Sequence, residues 1–444
     1  MWRTKSRQWV WGLSILAGLS GGCLIPDEIA RSRSSTEGGA GATTGTGAGG
    51  GATAATGGGP GGGTGGLNTT TGAGGGDSTG PGGSGGQGNN PACGAPLDTY
   101  FEVLWKKTVI KFDRYPPDIA VDADGNTYVG HEDKALTKLD KNGNPVWSYT
   151  AGFEGSGSFD AVTLGPNGRV HLSGTNCVDP PSPNPQPICF DIHQLIVQDP
   201  GASSPPVGDP DYSALVGAKC AGPVTFQAPD QLVCATYGAI TAYGADYSVA
   251  WTASPSTGFA GQLRADSANR IDVSLSCPEG DGYVPCLRQH APDGELLWSA
   301  SYSNTPVGRL HTGGLEIGPD DRLYASFSHD ASWGDPSTTT YWIVQAMSDG
   351  SVVWTEELAP PEAPEQDADT EIAVLPSGEV WMAAPFGPEG SFLRGYSMAG
   401  APLTGQLGYL CLPDPVRITK IRSDHSGGLR LLAGKDLYAL ARKP

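Results

Sequence analysis

From Leu97 to the end of the chain, apolar residues fall in short runs of four to seven that alternate with polar positions between turns. A period of two predicts half-buried β-strands, and no stretch keeps a capped helical period. The clearest hairpin is Ile119-Ala120-Val121, a polar turn at Asp122-Ala123-Asp124-Gly125-Asn126, then Thr127-Tyr128-Val129-Gly130. Equivalent hairpins begin near residues 161, 223, 263, 315, 372 and 418, making seven. A second phrase follows most of them, a turn ending on a tryptophan-bearing strand. It reads Asp140-Lys141-Asn142-Gly143-Asn144-Pro145-Val146-Trp147, then Ala291-Pro292-Asp293-Gly294-Glu295-Leu296-Leu297-Trp298, then Met347-Ser348-Asp349-Gly350-Ser351-Val352-Val353-Trp354. Weaker copies end on Trp251 and Trp105.

Four antiparallel strands repeated seven times predict an all-β fold, a β-propeller of seven four-stranded blades. The last copy, ending at Leu437-Tyr438-Ala439-Leu440, lacks a tryptophan strand, whereas Phe101-Glu102-Val103-Leu104-Trp105 is such a strand with no hairpin before it. Placing that N-terminal strand on the last blade closes the ring and removes both open edges.

The phrases Asp140 to Trp147 and Asp436 to Leu440 resemble the repeats of PQQ-like (quinoprotein-dehydrogenase-like) propellers, over roughly 97–444. That resemblance implies that Trp105, Trp147, Trp251, Trp298 and Trp354 dock between neighbouring blades, and their regular place in the repeat favours packing over a sugar-stacking platform. The family includes enzymes and non-catalytic assembly proteins, so it fixes fold more closely than activity.

Composition changes the picture before residue 92. Residues 1–23 read as an export leader, with Arg3, Lys5 and Arg7 ahead of a short apolar run from Trp9 to Leu19. Leu19-Ser20-Gly21-Gly22-Cys23 resembles a bacterial lipobox, which makes Cys23 the lipidation site. Residues 24–91 are Gly, Thr, Ala and Ser with little charge, a flexible linker in expectation, and residues 92–444 are the propeller domain. The order of lipobox, Gly/Thr linker and propeller resembles exported lipoproteins of myxobacteria. The expected location is the cell envelope, lipid-anchored at the outer membrane, with plain secretion as the alternative. Net charge is −19, a balance that argues against nucleic acid and leaves the lipid anchor as the membrane contact.

Setting Cys23 aside leaves eight cysteines, an even number that predicts disulfides in an exported chain. Sequence proximity pairs Cys277 with Cys286, Cys177 with Cys189 and Cys220 with Cys234, leaving Cys93 with Cys411 by elimination. No CxxC pair or His/Cys ligand spacing predicts a metal. Asp122-Ala123-Asp124-Gly125-Asn126 begins like a calcium loop but lacks the later ligands, so no cofactor is expected and calcium is the alternative.

A quinoprotein enzyme would need calcium ligands, an aspartate base and often adjacent cysteines, and this chain has no adjacent cysteines. Histidines 131, 171, 193, 290, 311, 329 and 425 show no paired motif and are expected at surface or internally satisfied positions. No catalytic residue is nominated. Two segments, Thr175 to Pro210 and His329 to Tyr341, break the repeat as candidate binding insertions, and the acidic run Glu356 to Glu371 reads as a solvated linker. The expected function is a non-catalytic, monomeric binding or scaffold module for an envelope protein or glycan, with no enzyme activity. The alternative is a propeller enzyme with a funnel site, quinone-dependent or carbohydrate-active.

Overall fold

The computed structural model describes residues 95–444, apart from 110–117, 132, 153–155, 179–187, 198–206, 209–221, 237, 255–258, 303–308, 331–338, 359–368, 387–389, 404–409 and 413–415. The described residues form seven antiparallel blades, and the short helical turns, such as Pro166–Gly168, are single turns of 3-10 helix. Blades 1 to 6 begin at Ile119, Ser156, Val224, Phe259, Arg309 and Glu371, and blade 7 begins at Ile418. In blades 1 to 5 the strands pair in chain order from the inside outward, and blades 6 and 7 do the same except that each takes its outermost strand from the N-terminal part of the described chain. The first strands also contact one another in sequence, and the blade 7 strand returns to that of blade 1, so the ring is closed.

Closure runs through Phe101–Thr108, which pairs antiparallel with Asp436–Arg442 as the fourth strand of blade 7. One pairing is absent from the sequence reading: Ala95–Pro96 adds a parallel fifth strand to blade 6 beside Leu410–Cys411. The outer strand of that blade is only two residues long. The preceding chain therefore covers an edge that would otherwise be open.

Turn chemistry explains why the hairpins form where they do. Asp122 Oδ1 accepts from the backbone N–H of Asp124 and Asn126, and Oδ2 accepts from Asn126 Nδ2 and Tyr128 OH. Asp140 and Asp424 cap their own turns in the same way. This is an Asx turn that satisfies its own backbone, and both carboxylate oxygens of Asp122 are engaged within it.

The core is distributed rather than central. Each blade interface holds its own apolar cluster, such as Tyr324, Ile343, Ile372 and Met382 between blades 5 and 6. Another joins Ile119, Val129 and Leu139 of blade 1 to Leu432 and Leu437 of blade 7. Four outer-strand tryptophans pack on the turn glycine of the following blade: Trp105 on Gly143, Trp251 on Gly294, Trp298 on Gly350 and Trp354 on Gly400. Trp105 and Trp298 also donate Nε1–H to backbone carbonyls of that turn, Lys141 and Ser348, each at 2.9 Å. Trp147 is buried edge-on to Tyr128, at 5.9 Å between centroids.

The repeated phrase is thus a receiver and a donor at once. Its glycine takes the tryptophan of the blade before, and its own tryptophan goes to the blade after. Blade 3 tests this internally. Blade 2 has no outer tryptophan to offer, and there the turn position of the glycine is held by Tyr247 at φ 61°. Left-handed backbone alone is therefore compatible with a side chain in this turn, and the ring contact is what demands glycine.

The disulfide Cys277–Cys286 closes the extended hairpin of blade 4. Cys177 and Cys234 are also disulfide-bonded, and Cys177 stands directly across from Cys189 in the blade 2 ladder. Cys23, Cys93 and Cys220 lie outside the described residues, and Cys411 is on the outer strand of blade 6. The segment at Thr175 to Pro210 starts as strand, because Arg169–Val178 and Ile188–Val197 continue the blade 2 hairpin outward. The His329 insertion likewise begins on a pair, Asp330 opposite Thr339.

Candidate functional site

Each inner strand presents alternate residues to the ring axis, so positions two and four residues before the first turn define two layers of side chains. The first hairpin turns begin at Asp122, Asp266, Gly318, Leu375 and Asp424. Counting back four gives Asp118, Gln262, Gly314, Glu371 and Lys420, and counting back two gives Ala120, Arg264, Glu316, Ala373 and Arg422. Six charged residues therefore converge from five blades. Five of them, Asp118, Arg264, Glu316, Lys420 and Arg422, line an axial cavity of about 520 Å³, together with Thr163, Ser173, Thr175, Thr225 and Gln262 from blades 2 to 4, and Glu371 lies beside it, paired with Lys420 and Arg422.

The charges neutralise one another. Arg422 bridges three blades, with Nη1 on Glu371 Oε2 at 2.8 Å and Nη2 on Asp118 Oδ1 at 3.1 Å. Lys420 donates to the other oxygen of Glu371. Asp118 accepts further from the N–H of Ile119 and, through Oδ2, from that of Val162. On the opposite wall Arg264 Nη2 meets Glu316 Oε1 at 2.9 Å, both side chains about a quarter exposed.

Burial pushes the Glu371 carboxyl up, but the adjacent Lys420 and Arg422 outweigh it and hold the carboxyl below its ordinary range. For Lys420 burial acts downward, and Glu371 and Asp118 overcome it, so the ammonium is held more firmly than usual. Arg422 is raised for the same reason. All three stay charged at neutral pH, and the network joins blades 6, 7 and 1 where the ring closes. Glu371 corrects the sequence reading: it was grouped with a solvated acidic linker, yet it is 8% exposed and inside the ring. Glu356 of the same run pairs with Arg394 at 2.8 Å. The signal that could have placed Glu371 is its register, four residues before a turn, as for Asp118.

Several polar groups on the neutral wall have no hydrogen-bond partner among the described residues. They are the hydroxyls of Ser173, Thr175 and Thr225, the side-chain amide of Gln262 and Oε2 of Glu316. Thr163 differs, donating to the Val224 carbonyl at 3.3 Å. Strand irregularities lie above the ionic layers, between Phe159 and Ala161, Ala260 and Gln262, Thr312 and Leu315, and Ile418 and Lys420. Bulges of this kind re-aim side chains beside ligand sites.

The histidines do not form a shared centre. His193 lines the cavity and stacks on His171 at 5.7 Å, and burial, then the neighbouring His193 ring, pushes His171 down to about 3. His290 and His329 are also buried, on blades 4 and 5. Among the described residues no group of three His, Cys, Asp or Glu side chains is arranged to hold a metal ion. The five sequence-selected tryptophans lie on outer strands, away from the axial cavity.

No family model matches the chain, and no curated protein matches it. Solved structures do. A streptogramin B lyase structure is 12% identical, with a TM-score of 0.49, covering 78% of this chain and 99% of that one. Drosophila Plexin A, in complex with Semaphorin 1b, is 11% identical over 77% of this chain and 87% of that one, at a TM-score of 0.47. The Dos1 propeller is 9% identical over 71% and 75%, at 0.44. At these values the likeness reaches the fold and no further. It also corrects one expectation: the chain was read as not being an enzyme, yet one of these structures is a lyase, so the architecture gives no ground for excluding catalysis.

Proposed function

We propose that the chain is a cell-envelope lipoprotein whose propeller binds an envelope glycan at its axis, held to the membrane through Cys23 and the Gly/Thr-rich segment 24–91. The observation that carries the binding half is the axial cavity, where hydroxyl and amide groups without protein partners converge on a rigid closed ring. The tethering half rests on the leader-like segment and the lipobox-like run before Cys23. The kinship with PQQ-like propellers belongs to this proposal as well, on the strength of Asp140 to Trp147 and Asp436 to Leu440.

The test uses the mature, detergent-extracted chain incubated with solubilised envelope polysaccharide fractions. Ala161→Phe, which narrows the cavity without touching the ion pairs, is the comparison. Glycan retained by the native chain and lost by the variant supports the reading. Retention of proteins alone, or of glycan equally by both, contradicts it. Mass analysis of the recovered glycan shows in the same experiment whether it has been altered.

A further inference from the structure

We infer that the axial cavity selects an uncharged saccharide, a narrowing that rests on the glycan-binding reading above. Three properties of the wall lead there. Its charges are already paired: Asp118 and Glu316 on the wall meet Arg422 and Arg264, and Glu371 beside the wall neutralises the remaining charge of Lys420. A ligand with net charge would meet both signs at close range and would have to displace an existing partner. Breaking a buried pair is costly, because the member left alone stays buried and uncompensated. The acidity of the whole chain, −19, adds a further barrier to anionic ligands.

Apart from Glu316 Oε2, the groups without a hydrogen-bond partner among the described residues are of one kind. The hydroxyls of Ser173, Thr175 and Thr225 and the amide of Gln262 each offer both a donor and an acceptor. Sugar hydroxyls have the same dual character, so neighbouring hydroxyls of one ring can engage several of these groups together. Glu316 Oε2 and the remaining Lys420 hydrogens supply charge-assisted bonds without a change of net charge. Between the polar groups lie Ala161, Val162 and Leu164, apolar surface suited to the C–H face of a pyranose. A cavity of about 520 Å³ also lies within the usual range for small-ligand sites.

The experiment is calorimetric titration of the mature chain with matched probes: neutral oligosaccharides, oligogalacturonate as the anionic counterpart, and a zwitterionic dipeptide. Gln262→Ala and Thr225→Val are the variants, and near-UV circular dichroism checks their folding. Binding of a neutral probe is expected, changing little between 50 and 300 mM salt. Each variant should weaken it by about 3- to 10-fold, the worth of one neutral hydrogen bond. Preference for the uronate or the dipeptide, or a steep loss with salt, overturns the assignment. If neutral saccharide binds but folded variants bind as tightly, the role given to these side chains falls, while glycan binding at the axis is decided separately by Ala161→Phe. If no saccharide binds to the folded chain, both fall.

Discussion

Asp272 is fully buried on the second strand of blade 4, and its environment makes a quantitative demand on the pH dependence of folding. Oδ1 accepts from Gln289 Nε2 at 2.9 Å, whereas Oδ2 has no hydrogen-bond partner among the described residues. Gln289 in turn accepts from Trp298 Nε1, the tryptophan that docks on blade 5. Asp266 and Asp321 add negative charge nearby, and Arg270, itself paired with Asp266 at 2.6 Å, offsets it in part. Burial first, then the neighbouring carboxylates, pushes Asp272 up to about 8 from 3.8, against the opposing Gln289 hydrogen bond. A carboxyl raised in the folded state binds a proton there that the unfolded chain has already lost. Its contribution to stability is therefore complete below about pH 4 and falls as pH rises through the window from about 4 to 8.

The slope is roughly 1.4 kcal/mol per pH unit while the states differ by one proton. Between pH 5 and pH 8 that amounts to about 3–4 kcal/mol for this side chain. Asp272→Asn keeps the shape and an acceptor for Gln289 but cannot ionise. Urea unfolding of both proteins at pH 5, 6, 7 and 8, followed by tryptophan fluorescence, gives the difference free of every other titrating group. The variant should gain on the native chain by about 3–4 kcal/mol from pH 5 to pH 8. A difference that stays flat with pH refutes the reasoning.

Further consequences follow from the blade contacts and the axial pairs. Gly350→Ala places a Cβ 2.7 Å from Trp298 at φ +83°, whereas Gly427→Ala meets open space at φ +87°. Chemical denaturation should show a cost of about 1–2 kcal/mol for Gly427→Ala, from backbone conformation alone. It should show a further ~1–3 kcal/mol for Gly350→Ala, from overpacking against the ring. Equal costs would deny the glycine–tryptophan role. Arg422→Met strands Asp118 and leaves Glu371 with Lys420 alone, and should destabilise by about 3–5 kcal/mol, with Asp118→Asn in the same chain recovering part of it. A double variant no better than the single would count against the pairing. Cys23→Ala should move the chain from the membrane fraction to the soluble fraction, read by flotation and immunoblot; a membrane-bound variant would exclude that anchor.

The ring was legible in the sequence because its repeats carry strong local chemistry: Asp turns that cap themselves, period-two strands and a tryptophan at fixed distance from a glycine. Even the closing strand could be placed, since Phe101 to Thr108 supplied what Asp436 to Arg442 lacked. What the phrase does was harder to see. Gly143 and Trp147 share one turn in sequence, but their partners lie on different blades, and Tyr247 in blade 3 makes sense only once blade 2 is seen to lack a tryptophan. The cavity was illegible for a similar reason. Asp118, Glu316, Glu371 and Arg422 are scattered over some three hundred positions, and each looks like an ordinary surface charge until register places it on the axis. Ala95–Pro96 escaped notice because two residues carry no strand pattern.

Hydrogen–deuterium exchange of the mature chain, with and without a saturating neutral oligosaccharide, tests the central claim most directly. Binding at the axis should protect amides of the inner strands around 161–164, 224–227 and 261–264 and leave the outer strands unchanged. Protection confined to the outer strands or to the connections between blades would place the ligand elsewhere and contradict the account.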